Sequence, residues 1–267
     1  MRRGAVGLLC NACGGALFLL AAVCGTLCAP RPFDLLLSSG FLCFSSHCGF
    51  LTALETRGLA PSAIVGTSSG ALAAAMLAAG LGADEIAKVM SAQRPFSLVR
   101  PSIMPWRGPL STRALTRRMR EVLPATFAEL EQPLAVGVFR PGARAPLLLT
   151  EGDLPHAVVA SCAVPNMFSA VSIDGYRYAD GGAVDRTMTA AWREWRPEQE
   201  ALVHLVSRLP PGDFGPRDGV ADEDEDVLGV IRTERTGASF FSLKDFEGER
   251  AAACEVAGRQ FDALGLS

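Results

Sequence analysis

Lysine is nearly absent from this sequence. Only Lys88 and Lys244 occur among its 25 basic residues, so arginine carries almost all the positive charge. Set against 28 acidic residues, this gives a formal net charge of −3 and excludes the broad basic surface that nucleic-acid binding demands. Histidine is scarce too. With only His47, His156 and His204 present, proton-transfer chemistry must draw on these three or on a carboxylate. Internal repeats are missing. The acidic run Asp222 to Asp226 lacks the ligand spacing of a calcium loop and reads as a solvated segment. A disulfide framework is missing as well, since Cys43, Cys48, Cys162 and Cys254 lie scattered among apolar neighbours as free, buried small hydrophobes. Cys10, Cys13, Cys24 and Cys28 copy the spacing of paired zinc ligands, but no polar groups stand by to orient thiolates, so no metal is expected.

Those last four cysteines fall in a segment unlike the rest. Arg2 and Arg3 precede an uncharged run from Gly4 to Pro30 that shows no polar face. A basic start, an apolar middle and a small-residue end mark a secretory or organelle-targeting leader, and the run is also long enough to stay in a bilayer as an anchor. The expected division is a hydrophobic leader over 1–30 and one domain over 31–267, in a chain whose 49% apolar content supports a sizeable core. Such a leader implies the secretory pathway, an organelle or a membrane.

Within the domain, strands alternate with helices, which predicts an α/β layered sheet. FDLLLSSG at 33–40 reads as a first strand entering a polar loop, and 47–59 as a helix ending at Gly58. Further helices are expected over 83–93, from a Ser111 cap through 112–123, over 153–163 with Asp153 as cap, and over 247–264. Strands are expected over 133–140, 145–150 and 200–208, with a hairpin turning at Asp174-Gly175. The proline-rich stretch 94–110, with Ile103, Met104 and Trp106, reads as an irregular loop that serves either as a lid or membrane contact or as a packed surface loop.

Residues 64–70 read IVGTSSG. Ala63, Ile64 and Val65 suit a short buried strand, and GALAAAMLAAG from Gly70 suits a packed helix. A chain turning sharply from strand to helix crowds any Cβ, which Gly66 and Gly70 relieve. The spacing Gly66-Thr67-Ser68-Ser69-Gly70 is that of a nucleophile elbow. It would expose Ser68 beside a helix N-terminus, where amides favour a developing negative charge. The spacing also recurs by chance, so a second group is needed. In YADGGAVDRT, Asp180 ends a hairpin strand, and Gly181-Gly182 lets the backbone turn so that the carboxylate points out of the strand end. Alone, it reads first as an ordinary turn aspartate that bonds its own backbone.

Together, IVGTSSGAL and the later VASCAVPNMFSAVSIDGYRYADGGAVD resemble the patatin-like phospholipase family. HCGFLTALE matches the family's first helix, and the resemblance covers roughly residues 33–265. It implies a three-layer α/β/α patatin-like fold with a central, mostly parallel sheet. It also implies a lipid acyl hydrolase with a serine–aspartate dyad that needs no catalytic histidine, cofactor or metal. Ser68 would be the nucleophile that carries an acyl-enzyme, and Asp180 the general base. A lipid or membrane-surface ester would be the substrate, and protein partners stay open. An aspartate in water has a pKa near 4, too low for an efficient base unless burial raises it. The family's glycine-rich G-G-G-x-R/K-G loop is altered to SSGFLCFS: only Gly40 survives, the basic position falls at Cys43 and the last glycine at Phe44. The amides of Gly40 and Phe41 are the expected oxyanion donors, with Phe41, Leu42 and Phe44 reshaping the hole or lining an acyl pocket.

Two other readings stay open. Ser68, Asp180 and His204 follow the chain order of an α/β-hydrolase triad, although His204 sits in ALVHLVS as a core residue would. His47 and His156 read as structural or capping residues at helix starts. Alternatively, the altered loop fits a catalytically weak or inactive protein that keeps this fold to bind lipid or a partner.

Overall fold

The run FDLLL, apolar but for Asp34, forms the first strand, β1 (Phe33–Leu37), and all five of its residues are buried. The computed structural model describes residues 32–102, 108–207 and 225–266. The expected leader over 1–30, with its four cysteines, lies outside the described residues, as do Ile103, Met104 and Trp106 and the first part of the acidic run. After β1 the chain forms α1 (Phe44–Thr56), β2 (Ala63–Thr67), α2 (Ser69–Ala78) and α3 (Ala83–Ser91). The short pair β3 (Arg100–Pro101) and β4 (Leu110–Ser111) leads into α4 (Arg113–Val122). Then come β5 (Leu134–Phe139), β6 (Pro146–Leu149), α5 (Leu154–Ser161), β7 (Val171–Ile173) and β8 (Tyr176–Asp180). The last elements are α6 (Thr189–Trp195), β9 (Glu200–Val206), β10 (Val227–Thr233) and α7 (Phe246–Ala263).

The main sheet has eight strands in the order β10-β9-β1-β2-β5-β8-β7, with β6 also pairing β5. Its centre is parallel from β10 to β5, and β6, β8 and β7 add antiparallel pairings at one side. This is the three-layer α/β/α arrangement with a mostly parallel sheet. Side chains alternate across it. Leu35, Leu37 and Ile64 enter the larger core with Phe50 of α1, Met76 of α2, Ile86 of α3 and Phe261 of α7. Leu36, Val65 and Ala135 enter the smaller one, closed by Met188 and by Trp192 of α6. The buried Asp34 carboxylate accepts from Trp192 Nε1 at 2.9 Å and from the Arg196 guanidinium at 3.0 and 3.1 Å, so its charge is paired.

Several local expectations hold. Asp174 and Gly175 both take positive φ, as a two-residue hairpin between β7 and β8 requires. Asp153 caps α5 by accepting from the His156 amide at 2.9 Å. Cys43, Cys48, Cys162 and Cys254 are free, and burial pushes the Cys48 thiol up to about 12. Others need correction. Ser111 lies in β4 and Thr112 occupies the cap position of α4 without a side-chain bond, although Ser111 Oγ accepts from the Arg113 amide at 3.4 Å. His47 sits inside α1, not at its start. β10 and α6 were not expected from the sequence.

Candidate active site

Strand β2 ends at Thr67, helix α2 begins at Ser69, and Ser68 between them has φ 55° and ψ −120°, a sharp turn seldom adopted by a residue with a Cβ. A Cβ at Gly70 would overlap the carbonyl oxygens of Leu37 and Ser38, so only glycine lets α2 start this close to the end of β1. Gly66 stands within β2, packed against Ala71 and Ala74 of α2.

Asp180 reaches the same place from β8. Thr67 lies beside Gly137 of β5, and Asp180 pairs with Val138 of the same strand, so β5 stands between the serine and the carboxylate. Ser68 Oγ donates to Asp180 Oδ2 at 2.8 Å, while the Gly182 amide donates to Oδ1 at 2.8 Å. Gly181 opens the short 3-10 turn after Asp180, and a Cβ at Gly182 would come within 2.5 Å of Ser39 Cβ, so the turn stacks directly on the loop after β1. Burial raises the Asp180 carboxyl from 3.8 to about 7, and the two hydrogen bonds oppose that rise.

The end of α5 clasps both groups. Ser161 Oγ accepts from the Ser68 amide at 2.8 Å and donates to the Gly137 carbonyl at 2.6 Å. Cys162 Sγ donates to the Ser68 carbonyl at 3.4 Å, and the Ala163 carbonyl accepts from the Asp180 amide at 3.0 Å. The sequence reading missed Ser161, whose one signal is a polar residue ending the apolar run AVVA.

The altered loop is held by residues far along the chain. Arg186 donates to the carbonyls of Ser39 and Val206, at 2.8 and 2.6 Å, and the Ser39 amide donates back to the Arg186 carbonyl at 2.9 Å. Gly40, expected as an oxyanion donor, instead gives its amide to Ser69 Oγ at 2.9 Å. Phe41 takes a left-handed backbone, φ 55°, and its amide has no acceptor among the described residues.

Ser69 also starts a buried polar chain. His47 Nε2 lies 3.2 Å from Ser69 Oγ, His47 Nδ1 lies 3.0 Å from His204 Nδ1, and His204 Nε2 lies 2.8 Å from Thr233 Oγ1. Burial holds both imidazoles neutral: it pushes His47 down to about 3, with the nearby Arg186 charge adding to the effect, and lowers His204 well below its ordinary value. Two neutral rings share one proton between their Nδ1 atoms, so the chain admits two consistent proton orders, running from Ser69 to Thr233 or the reverse. Both His204 nitrogens are therefore engaged away from Ser68, and the triad suggested by the chain order Ser68, Asp180, His204 does not assemble in space. His156 pairs instead with Asp153, Nδ1 to Oδ2 at 2.9 Å.

An apolar pocket opens over Ser68. Phe41, Leu42, Phe44, Leu115 and Phe168 line it, and Phe240 closes it through an edge contact with Phe41 at 5.4 Å between ring centres. Phe41, Leu42 and Phe44 of the altered loop thus form an apolar wall beside Ser68. No group of three His, Cys, Asp or Glu side chains suited to a metal occurs among the described residues.

The fold is similar to that of VipD from Legionella pneumophila, at 14% identity and a TM-score of 0.53, covering 88% of this chain and 67% of that one. It is also similar to that of the type III effector ExoU from Pseudomonas aeruginosa, at 14% identity and a TM-score of 0.50, covering 89% and 54%. The chain spans about half the length of the ExoU structure. Residues 35–191 match the patatin-like phospholipase family. Because that match takes in both the elbow and Asp180 and spans more than half of the chain, the protein belongs to the patatin-like phospholipase family.

Proposed function

We propose that the protein hydrolyses lipid esters through Ser68 and Asp180. One contact carries this reading: the 2.8 Å hydrogen bond from Ser68 Oγ to a carboxylate that burial has raised to about 7. A base poised there accepts the serine proton as Oγ attacks the ester carbonyl. The carbonyl oxygen becomes negative, and the Phe41 amide together with the positive end of α2 receives it. Collapse of the adduct leaves an acyl ester on Ser68, and Asp180 returns the proton to the departing alcohol. Water, deprotonated by the same carboxylate, then releases the fatty acid. The apolar pocket takes the acyl chain, which suits a substrate presented at a membrane surface, and the leader would bring the protein to one.

The test uses the full chain with a fluorophosphonate probe, a short-chain chromogenic ester and a fluorescent phospholipid. Wild type labels at one serine and turns over substrate. Ser68→Ala loses the label, and both Ser68→Ala and Asp180→Asn lose at least about 10³-fold in kcat with the fold intact. Turnover surviving in a folded Ser68→Ala would end this reading. A second reading rests on the Gly40 amide being bound to Ser69: a folded wild type that turns over neither substrate but retains lipid is a binding protein on this fold.

A further inference from the structure

A second cavity, distinct from the one over Ser68, opens among the described residues. It has a volume of about 800 Å³ and lies between β3, the first turns of α4 and the segment entering β7. Arg100, Arg113, Arg117, Arg177, His156 and Thr116 line it, and among the described residues no carboxylate does. Asp153, three residues before His156, is already bonded to His156 at 2.9 Å and to Arg120 at 3.5 Å, while Asp174 and Asp180, each three residues from Arg177, do not line the cavity. Among the described residues, Arg113, Arg117 and Arg177 have no acidic partner.

This concentration of one sign runs against local physics. Arg113 and Arg117 stand four residues apart on one helix face, where like charges repel. They also occupy the first turns of α4, where the helix dipole disfavours cations. A third arginine comes from β8 and a fourth from β3, in a chain whose net charge is −3. All four guanidinium groups are exposed around one cavity, free to turn towards a ligand, and their forks match the paired oxygens of a phosphate.

The cavity and the pocket over Ser68 share no lining residue but draw on the same three segments. Leu115, between Arg113 and Arg117, faces the pocket over Ser68, as do Val99 beside Arg100 and Phe168 beside Ser169 of the cavity wall. We propose that this cavity binds phosphate groups, presented by the headgroup of an anionic phospholipid or by a soluble phosphate compound. The headgroup source rests on the lipid-hydrolase reading, whereas the anion site itself does not.

Two arms on the full chain separate the sources. Calorimetric titration with inositol hexakisphosphate reads soluble phosphate, and co-sedimentation with phosphatidylcholine vesicles, with and without phosphatidic acid, reads the headgroup. Arg113→Gln/Arg117→Gln is expected to weaken soluble binding about tenfold or more. The control Arg118→Gln/Arg259→Gln removes the same charge from residues paired with Glu121 and Glu255 outside the cavity, and is expected to bind as wild type does. Arg177→Gln repeats the test from β8 should the α4 variant unfold. A parallel loss of phosphatidic acid-dependent sedimentation assigns the site to headgroups, and unchanged sedimentation assigns it to soluble phosphates. Equal losses in the cavity and control variants, or no binding of either probe by wild type, would overturn the proposal. Ser68→Ala is expected to keep full anion binding, so failure of the hydrolase reading registers separately.

Discussion

At Asp180 one carboxylate oxygen faces Ser68 Oγ and the other faces the Gly182 amide, and burial still lifts the group to about 7. Between pH 3.8 and about 7 the folded protein holds a proton there that the unfolded chain has released. That contribution to stability is present in full below the unfolded value and is lost as pH rises through the folded one. Asp180→Asn removes the charge, so its Tm advantage over wild type should grow by about 5–10 °C between about pH 5 and about pH 8, read by thermal melts. On the proposed mechanism this ionisation frees the base, so wild-type kcat/KM should rise with pH and level off above about 7. Catalysis and stability pull on this residue in opposite directions.

At the scale of elements, the end of α5 matters more than its length suggests, because Ser161 to Ala163 touch both halves of the site. Ser161→Ala would leave the Ser68 amide and the Gly137 carbonyl without their shared partner. The expected cost is about 1–3 kcal/mol in stability, from melts or denaturant titration, with a fall in kcat as the elbow loosens. Elements set by neighbouring residues were legible in the sequence: the elbow glycines, the Asp153 cap and the Asp174-Gly175 hairpin each act within a few positions. α6 was not, since it starts after Met188 in a left-handed conformation that no side chain announces. β10 was hidden because its apolar run follows directly on the acidic stretch and carries Gly229 within it. The Ser111 cap failed by one residue, because Ser111 was drawn into pairing with Arg100.

Across the whole molecule, the buried imidazoles set the acid limit. His47 and His204 are held neutral when folded but take protons below their ordinary value near 6.5 when unfolded. Their contribution is present above that value and is lost as pH falls. Tm should therefore drop steadily on acidification below about pH 6, and more steeply in Asp180→Asn, where the opposing gain at the carboxylate is gone. Ser68 and Asp180 were legible in the sequence because each carries its own glycine signature. The His47–His204–Thr233 chain and the Arg186 clamp were not, because each depends on partners far apart that only the sheet order brings together.

That sheet order also imposes a timetable on biosynthesis. The elbow emerges from the ribosome early, yet the loop beside it is fastened by Arg186, His204 and Val206, and His204 in turn leans on Thr233. Asp180 and the groups that fasten this loop all follow Ser68 at a distance, so the elbow's contacts are complete only once Val206 is present. The site is thus assembled from parts of the chain made far apart in time, with its serine first and its fastening last.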